Sequence, residues 1–538
     1  MKTKLLPPDL NCDVLVIGSG IAGINAAVNA AESGCKVILL SKGSLFSGSS
    51  FYPGTWGLGL IGPEDEDDIP NLEKSIKNIG CGMTNDKLVH AFVTGIPAAL
   101  ETIRRRGVKL RTANQKNQRE FIPCFDYKHR DWNGLEFESV REVFSSLIKD
   151  LGITVLENCE VLKLEKKENR ITGAVFYDGN EVKFLSSKST VLASGGYGSL
   201  FQYHLCTDDV IGSGQALALN AGCSLINMEF MQMMPGYIYP APKTVFNEKT
   251  FRFTRIYHSD GTPLLPEADS ERLLDIRSGH GPFTSRLDSK VVDTEIFKDF
   301  LHNRDGVEIQ YNDELRTNPP EFVTTYFDWL KESKGLTVDD PIHVGIFAHA
   351  ANGGIKIKED TSTGINGLFA AGEVTGGMHG ADRIGGLSTA NGLVFGQKAG
   401  IAAAKYAKAA EKNQDNAVFE MMTCTNENEL VARLQDTMFR NAMVIRTQEG
   451  LNSALNEVRQ INTEICTSEY PTDHDVAAYY RMQLRLITAE SILKSAQARK
   501  ESRGSHYRTD YPEQSDAFNK CYVVTKTDEI NVHLESDT

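Results

Sequence analysis

The chain of 538 residues is 41% hydrophobic and 24% charged, which is the composition of an ordinary globular protein. Its length exceeds the roughly 250 to 300 residues at which one hydrophobic core stops growing, so two to four domains are expected. Its formal charge of -14, from 57 basic and 71 acidic residues, argues against nucleic acid as a partner, because a phosphate backbone needs clustered cations.

Two further features indicate the compartment. No apolar run approaches the roughly 20 residues that cross a bilayer, and residues 1–13 lack the apolar stretch of a signal peptide. The ten cysteines are scattered without a C-x-x-C pair, so neither an iron–sulfur cluster nor another metal site is predicted. We therefore predict a cytoplasmic protein without a membrane span and assign the cysteines no chemistry.

The first predicted elements form a βαβ unit. The apolar run D-V-L-V-I at 13–17 predicts a strand, and the Ala-rich residues 21–33 predict a helix that ends at Gly34. A second run, K-V-I-L-L at 36–40, predicts the next strand. The whole unit has about the 30 residues that such a unit needs.

Further along the chain, short strands are predicted at 155–164, 170–177 and 182–184, around a D-G-N turn, and they suggest a small antiparallel insertion. Residues 189–193 predict a strand that returns to the nucleotide-binding sheet. Residues 227–340 are rich in Pro, Gly, Asp and aromatics without long helical periodicity, which favours an irregular second domain. Later segments are predicted as a strand at 364–371 and helices at 393–410, 427–441 and 475–499.

The turn between the first strand and the first helix reads G-S-G-I-A-G, with glycines at 18, 20 and 23. In the G-x-G-x-x-G pattern, Gly18 permits the tight turn, Gly20 the approach of a pyrophosphate, and Gly23 close helix-to-strand packing. The positive end of the following helix would face the phosphates. The pattern predicts dinucleotide binding here, although a glycine turn that binds nothing is the competing interpretation.

The second strand lacks the acid that usually contacts a ribose hydroxyl. Leu40 is followed by Ser41 and Lys42, which could meet the adenosine end as hydroxyl and ammonium donors instead. This departure argues against a simple NAD enzyme.

Three segments resemble one family. Residues 371–386, A-G-E-V-T-G-G-M-H-G-A-D-R-I-G-G, are similar to the G-E-V...H-G-A-N-R-x-G-G signature of fumarate reductase flavoproteins. Residues 193–196, A-S-G-G, resemble the A-T-G-G of that family, and residues 498–508, A-R-K-E-S-R-G-S-H-Y-R, resemble its A-R-x-E-S-R-G-x-H-x-R. The chain thus resembles the FAD-dependent fumarate reductase, succinate dehydrogenase and L-aspartate oxidase family over nearly its whole length.

The resemblance implies an α/β fold, with a Rossmann-like FAD-binding domain, an inserted α+β capping domain and a C-terminal helical domain. We place the FAD-binding domain at 1–226 and 345–412, the capping domain at 227–344 and the helical domain at 413–538.

The resemblance also implies a set of FAD-binding residues. Glu373 would bind the FAD ribose, Val161 would meet the adenine through its backbone, and Ser388 and Thr389 would open a helix facing the pyrimidine end of the flavin. A solvated loop carboxylate is the competing interpretation of Glu373. The remaining predicted contacts come from the glycine-rich turns, with Ser194, Gly195 and Gly196 in the second of them.

Covalent members of the family carry a His after the second strand, where this chain has Ser49. Non-covalent FAD is therefore predicted.

The resemblance further implies a substrate site. His349 and Arg383 match the side chains that grip a carboxylate, a role that suits the planar fork of Arg. Arg286 resembles the proton-donating Arg, although the R-D of the family has become R-L-D here. A core histidine, a structural salt bridge and a surface arginine, respectively, are the competing interpretations.

Two departures concern the substrate. Q-M-M-P stands in place of the Q-F-H-P of dicarboxylate enzymes, so Met234 replaces a carboxylate-binding His, and the T-E-x-x-R-G-E-G segment is not recognisable between Phe251 and Gly261. Met233, Met234, Tyr237 and Tyr239 could instead line an apolar pocket or merely fill the core. We predict hydride transfer between flavin and an unsaturated acid other than a simple dicarboxylate.

Two alternatives stay open. One is an L-aspartate oxidase, which shares non-covalent FAD and the three-domain layout. The other is a flavoprotein subunit of an electron-transfer complex, whose clusters or haem would reside in a separate chain. The electron donor or acceptor is not disclosed by the sequence.

Overall fold

The computed structural model of the protein describes residues 3–55, 57–112, 128, 130, 132–411 and 415–536. In these residues the strands are β1 (Thr3–Leu6), β2 (Pro8–Ile17), β3 (Val37–Leu40), β4 (Leu58–Leu60), β5 (Leu110–Thr112), β6 (Asn133–Leu135), β7 (Thr154–Leu156), β8 (Glu160–Lys167), β9 (Arg170–Tyr177), β10 (Val182–Leu192), β11 (Leu225–Ile226), β12 (Met231–Tyr239), β13 (Thr254–Tyr257), β14 (Val307–Tyr311), β15 (Ile342–Ala351), β16 (Gly354–Lys356), β17 (Leu368–Ala370), β18 (Thr375–Gly376), β19 (Ala417–Glu420), β20 (Tyr522–Lys526) and β21 (Ile530–Leu534).

The α-helices of the same residues are α1 (Ile21–Glu32), α2 (Ile69–Ile79), α3 (Asp86–Val93), α4 (Ile96–Arg105), α5 (Phe137–Asp150), α6 (Ser213–Ala221), α7 (Glu267–Ser278), α8 (Lys290–His302), α9 (Asp313–Thr317), α10 (Glu321–Lys334), α11 (Leu387–Ala409), α12 (Glu427–Ala442), α13 (Gln448–Thr463) and α14 (Asp473–Ala498). None of the helices in the described part of the chain is long and apolar enough to cross a membrane. Of the ten cysteines, Cys124 lies outside the described residues.

The central sheet contains the predicted βαβ unit. Strands β7, β3, β2 and β10 lie side by side in parallel, and β17 adds to the far side of β10. Every residue of β3 is buried, as are Val14–Ile17 of β2. Parallel strands covered on both faces read as continuous apolar runs, which is why these two were visible in the sequence.

Strand β10 corrects the predicted antiparallel insertion. The two strands predicted at 182–184 and 189–193 are one continuous strand with an irregularity between Phe184 and Leu185. Its first half pairs antiparallel with β9, which in turn pairs with β8, so this hairpin extends the central sheet. The prediction failed because Ser186 and Ser187 read as a break, whereas both are buried and their backbone pairs with β2.

Helices α1 and α11 pack closely against each other beside the central sheet. An added Cβ at Gly396 would lie 2.5 Å from the Ala22 carbonyl oxygen, and one at Gly400 would lie 2.3 Å from that of Ala26. Real Cβ atoms do not approach a carbonyl oxygen so closely, so only glycine permits this helix contact. The contact joins the first and last parts of the predicted FAD-binding domain.

Residues 227–344, which we call the capping segment, have an α+β structure. Its strands β12, β14 and β13 form an antiparallel sheet with β15, most of which lies beyond residue 344, in the order β12, β15, β14, β13. The expectation of a segment without long helices is wrong, because α7, α8 and α10 each span at least 12 residues. In α8 the buried residues Val292, Ile296 and Phe300 recur every four positions, a helical period that the surrounding turn-forming residues obscured.

The C-terminal part is helical, as predicted, with α12, α13 and α14 packed together. Helix α14 begins with a capping box in which Thr472 and Asp475 satisfy each other's backbone N–H groups. The hairpin β20–β21, which the sequence analysis did not predict, pairs with β11 in a five-stranded sheet. The C-terminal region therefore also contributes two strands to a sheet that contains β11, β16 and β18.

Candidate active site

A cavity of about 360 Å³ opens where the parallel strands end and extends to the capping segment. Ile17 at the end of β2, Leu40 at the end of β3 and Ala193 just after β10 lie in its wall. Ligands of open α/β sheets bind at the carboxyl ends of the strands. The position of the cavity is therefore that of a cofactor site.

The three glycines of the first turn have three different surroundings. A Cβ added to Gly18 would lie 2.3 Å from the Ala193 carbonyl oxygen. A Cβ added to Gly23 would lie 1.8 Å from the Gly18 carbonyl oxygen. At Gly20 the nearest atom would be the Ser50 Oγ at 3.4 Å. Gly18 and Gly23 are thus required by packing, and Gly20 keeps the backbone open toward the cavity, as a bound pyrophosphate needs.

Two helix N-termini face the same space. Helix α1 begins after Gly20, and α11 begins after Gly386, with Ser388 and Thr389 in its first turn; all four residues lie in the cavity wall. Neither helix has an acidic residue in its first turn. The partial positive charge of both ends is therefore available to an anionic or electron-rich ligand group.

The predicted adenosine end contains an ion pair. Lys42 Nζ lies 2.8 Å from Glu160 Oε1, and Arg481 of α14 binds the other carboxylate oxygen. Burial alone would raise the pKa of Glu160, but the charges of Lys42 and Arg481 lower it below its usual range. Glu160, which the sequence analysis missed, thus places a carboxylate in the wall beside Val161, its neighbour on β8.

Ser41 is also in this wall, with its Oγ 2.7 Å from the Ser19 Oγ. Two other predicted residues, Ser49 and Ser194, lie in the wall with buried hydroxyl oxygens. Within the described residues neither hydroxyl has a hydrogen-bond partner. Buried polar atoms are rarely left unpaired, so both fit contacts with a bound group.

Glu373 lies between two backbone segments. Its Oε1 accepts a hydrogen bond of 2.8 Å from the Ala351 N–H and also contacts the backbone of Gly196. Burial raises the pKa of Glu373, against the opposing effects of these bonds and of Arg383. An added Cβ at Gly196 would lie 2.6 Å from Oε1, so the glycine makes room for the carboxylate. Gly195, in the same turn, lies in the cavity wall.

Arg383 reaches the other end of the cavity from the segment before α11. Its Nε donates a hydrogen bond of 2.9 Å to Oε1 of Gln232, and Gln232 Nε2 donates one of 3.2 Å to the Arg383 carbonyl oxygen. Both side chains are buried and line the cavity. Gln232 on β12 therefore fixes the orientation of the guanidinium.

His349, near the end of β15, lies in the same part of the wall. Its Nδ1 has no hydrogen-bond partner in the part of the chain that the structure describes. Burial, and then the charge of Arg383, lower the pKa of His349 to about 3, with a smaller opposing contribution from the Leu205 backbone. The imidazole is therefore neutral near pH 7, with a ring N–H as its donor.

The structure places Arg286 elsewhere. Its Nε lies 3.3 Å from Oδ2 of Asp382, the residue before Arg383, and it is not among the residues that line the cavity. His349 and Arg383 thus both line the cavity. Arg286 instead contacts the signature segment, residues 371–386, and does not line the cavity. Its predicted role in proton transfer stays a prediction.

The capping segment supplies wall residues that the sequence analysis did not identify. Phe322 and Tyr326, one turn apart on α10, line the cavity together with Met234. Of the other residues expected in an apolar pocket, Met233 and Tyr237 are buried outside the wall and Tyr239 is 55% exposed. The spacing of Phe322 and Tyr326, four residues apart in a helix, was the available signal.

A buried carboxyl group also lies at this end of the cavity. Glu248 lines the wall beside Asn247, just before the window in which the acidic segment was sought. Burial raises the pKa of Glu248, although the charges of Arg277 and Lys249 oppose the shift. The wall of the cavity therefore combines Arg383 and neutral His349 with this carboxyl group and with apolar side chains.

The fold and the cavity together define an α/β dinucleotide-binding protein whose binding cleft is covered by a second segment. A family model described as FAD binding domain matches residues 13–389, and one described as fumarate reductase flavoprotein C-term matches residues 431–537. The chain belongs to the FAD-binding oxidoreductase family that includes fumarate reductase and succinate dehydrogenase flavoproteins and L-aspartate oxidases. FAD is its cofactor.

Individual relatives agree with this assignment. A fumarate reductase (CoM/CoB) subunit of Methanothermobacter marburgensis is 28% identical, with 96% of this chain and 97% of that protein covered. L-aspartate oxidase of Yersinia pestis is also 28% identical, with 93% and 96% covered. The structure of Mycobacterium smegmatis Sdh1 in complex with UQ1 has a TM-score of 0.77 at 24% identity, with 98% and 94% covered, which shows the shared fold.

Proposed function

We propose that the protein transfers a hydride between FAD and an unsaturated monocarboxylic acid that carries an apolar or aromatic substituent. The observation that carries this proposal is the composition of the substrate end of the cavity. Arg383 and His349 line the cavity, and so do Met234, Phe322 and Tyr326. A cation that holds one carboxylate beside an apolar wall suits such an acid better than a dicarboxylate.

In this proposal Arg383 holds the substrate carboxylate through its planar fork, with Gln232 keeping the guanidinium oriented. His349 donates a hydrogen bond from its neutral ring, because its low pKa keeps it uncharged at physiological pH. The capping segment excludes water from the reacting carbons. Holding the acid in one orientation supplies much of the acceleration.

Bound FAD in its reduced form would supply a hydride to one carbon of the C=C bond in the reductive direction. A proton is added to the neighbouring carbon, so that the product is the saturated acid. We propose Arg286, on the loop that reaches the cavity wall at Pro282, as the group that moves this proton. We also propose that FAD is bound without a covalent bond, with Ser49 where covalent members have a His.

An L-aspartate oxidase is the second candidate, and the 28% identity to the Yersinia pestis enzyme supports it. Met234 argues against it, because a thioether cannot bind a second carboxylate. The electron donor or acceptor could be a separate chain, which is in line with the Methanothermobacter marburgensis relative being named as one subunit of a fumarate reductase. Co-purification of a second chain would identify it.

The first experiment is anaerobic. The flavin is reduced, and its reoxidation is followed at the visible FAD absorbance after addition of fumarate, cinnamate or a branched alkyl enoate. We expect rapid reoxidation by cinnamate or the alkyl enoate and slow reoxidation by fumarate. Indifference to every enoate, together with reduction of the oxidised enzyme by aspartate, would establish the second candidate instead.

A substitution at Met234 tests whether the apolar wall of the cavity selects the substrate. Met234→His introduces a donor for a second carboxylate, so it should raise the rate with fumarate and lower the rate with cinnamate. Met421→His, at a partly buried position outside the cavity, is the control and should change neither rate. If Met234→His leaves the ratio of the two rates unchanged, the wall does not select the substrate.

A further inference from the structure

Asp382 is a buried carboxylate between the capping segment and the signature segment at residues 371–386. Its Oδ2 accepts a hydrogen bond of 2.8 Å from the Thr284 hydroxyl and lies 3.3 Å from Arg286 Nε. The aspartate side chain is completely buried, while that of Arg286 is 26% exposed. Both partners of Asp382 belong to the capping segment, so this carboxylate fastens one segment to the other.

The loop that contacts Asp382, residues 282–290 of the capping segment, reaches the cavity. Pro282, four residues before Arg286, lies in the cavity wall, and Arg383 lies in the wall directly after Asp382. The loop is held at two other points, where Phe283 donates to the Met233 carbonyl oxygen and Ser285 to that of Gly504. The Asp382 contact therefore lies next to residues on two sides of the cavity.

The charged and titratable groups around this contact are few. Arg286 faces Asp382 from the capping segment, and the Cys81 thiol lies beside both of them. Arg503 reaches the Cys81 carbonyl oxygen from the C-terminal region, but its charge is paired with Glu501. Arg383 is the neighbour in the chain, and its Nε is bound to Gln232. Arg286 is the cation that Asp382 contacts directly.

We propose that Asp382 is a positioning residue, whose ion pair with Arg286 holds the loop at residues 282–290 against the signature segment during turnover. This inference rests on the proposed function, in which Arg286 moves a proton at the substrate. Asp382 itself is not among the residues that line the cavity. The Asn at the matching position of the family signature could accept the Thr284 hydrogen bond, but it carries no charge and could not form an ion pair with an arginine.

A pH dependence follows from the same contact. Burial raises the pKa of Asp382 to about 6, with Arg286 and Thr284 opposing the shift. The carboxylate that pairs with Arg286 is therefore present above pH 6 and is lost as the pH falls through 6. Because the pKa is raised, ionised Asp382 does not stabilise the fold, and its neutral replacement should fold at pH 8 at least as well.

The first test needs no substrate. Hydrogen exchange of peptides covering residues 282–290 is compared between the FAD-loaded wild type and Asp382→Asn. We expect several-fold faster exchange in the variant at pH 8 and little difference at pH 5, where wild-type Asp382 is protonated. Equal exchange at pH 8 would overturn the proposal, whatever the enzyme reduces.

The control is an exposed ion pair between the capping segment and the part of the chain that precedes it. Lys243 of the capping segment lies 2.7 Å from Asp208, whose side chain is 84% exposed. Asp208→Asn should leave exchange at residues 282–290 unchanged. If Asp208→Asn accelerates exchange there as much as Asp382→Asn does, the effect is general loosening and the positioning role is wrong.

The second test uses the substrate that the enoate panel identifies. Asp382→Asn should lower kcat on the order of tenfold with little change in KM, and the acidic limb near pH 6 in wild-type kcat should disappear. A change confined to KM, or an unchanged acidic limb, would contradict the proposal. Accelerated exchange in a protein that reduces no enoate would instead retain the positioning role and refute the proposed reaction.

Discussion

Gln232 and Arg383 bind each other through two hydrogen bonds, one from the arginine Nε at 2.9 Å and one to the arginine carbonyl oxygen at 3.2 Å. The pair joins β12 to the signature segment at the substrate end of the cavity. Since Nε is held by the amide, the fork formed by the other guanidinium nitrogens is fixed in direction. The orientation of the Arg383 guanidinium thus depends on Gln232, a residue from a distant part of the chain.

Replacement of Gln232 by Leu should weaken the grip on the substrate. The change removes a buried hydrogen bond to a charged group, worth about 1.5 to 3 kcal/mol, which corresponds to a loss of roughly 10- to 100-fold in kcat/KM. Steady-state kinetics with the substrate from the enoate panel measures it. Gln310→Leu, at an exposed position of β14, is the control and should retain wild-type kinetics. Equal kcat/KM in both variants would show that Gln232 does not orient Arg383.

The first glycine turn should separate folding from cofactor binding. Gly23→Ala places a Cβ 1.8 Å from the Gly18 carbonyl oxygen, so little soluble protein is expected. Gly20→Ala meets no atom closer than 3.4 Å, so the variant should fold and bind FAD weakly, with a Kd raised on the order of tenfold. Thermal unfolding and FAD absorbance of the purified variants test both outcomes. A Gly20→Ala protein with full FAD affinity would contradict the proposed role of the first glycine turn in FAD binding.

A buried ionic network joins the C-terminal region to the central part. Arg499 Nε lies 2.7 Å from Glu229, and its Nη1 lies 2.7 Å from Glu501; all three side chains are completely buried. Glu229→Gln removes one of the two carboxylates that pair with Arg499 and leaves the buried network with an uncompensated positive charge, so the free energy of unfolding should fall by about 3 to 5 kcal/mol. Urea unfolding measures it.

The control for the network is an exposed pair on α8, between Glu295 and Lys298. Glu295→Gln should change the free energy of unfolding by less than about 0.5 kcal/mol, since exposed pairs contribute little. Similar losses for Glu229→Gln and Glu295→Gln would mean that burial of the network does not matter to stability.

His349 should contribute to acid sensitivity. Its pKa is about 3 in the folded protein and about 6.5 in an unfolded chain, so below pH 6.5 the unfolded state takes up the proton first. Stability associated with the neutral ring is complete above pH 6.5 and is lost as the pH falls toward 3. Between pH 6.5 and 4.5 the wild type should lose about 2 kcal/mol more than His349→Gln. Parallel losses in urea unfolding at both pH values would refute this.

Much of the fold was predictable because its signals are local. The strands at 13–17 and 36–40 are uninterrupted apolar runs, and the helix between them is Ala-rich, so each element could be identified from its own residues. Strand β10 was divided in error, since the burial of Ser186 and Ser187 depends on the pairing of β10 with β2. The helices of the capping segment were missed for a similar reason, as turn-forming residues separate short amphipathic stretches.

The candidate site divides in the same way. His349 and Arg383 were found through contiguous motifs, and the structure brings both to one cavity. Glu248 was missed because the acidic segment was sought a few residues too late in the chain. Phe322 and Tyr326 carry no motif; their four-residue spacing indicates a shared face of α10 but not that this face turns toward the cavity.

The sequence by itself determined the nucleotide-binding turn, the family and hence FAD, because a phosphate cradle is made by backbone at consecutive residues, where only glycine fits. The tertiary structure alone decided the substrate wall and the partner of Arg286. Met234, Phe322 and Tyr326 lie up to 92 residues apart, and Arg286 lies 96 residues from Asp382. Such residues become neighbours only when separate segments pack together. The periodicity of a sequence predicts a helix or strand, but it does not predict which other element that helix or strand contacts.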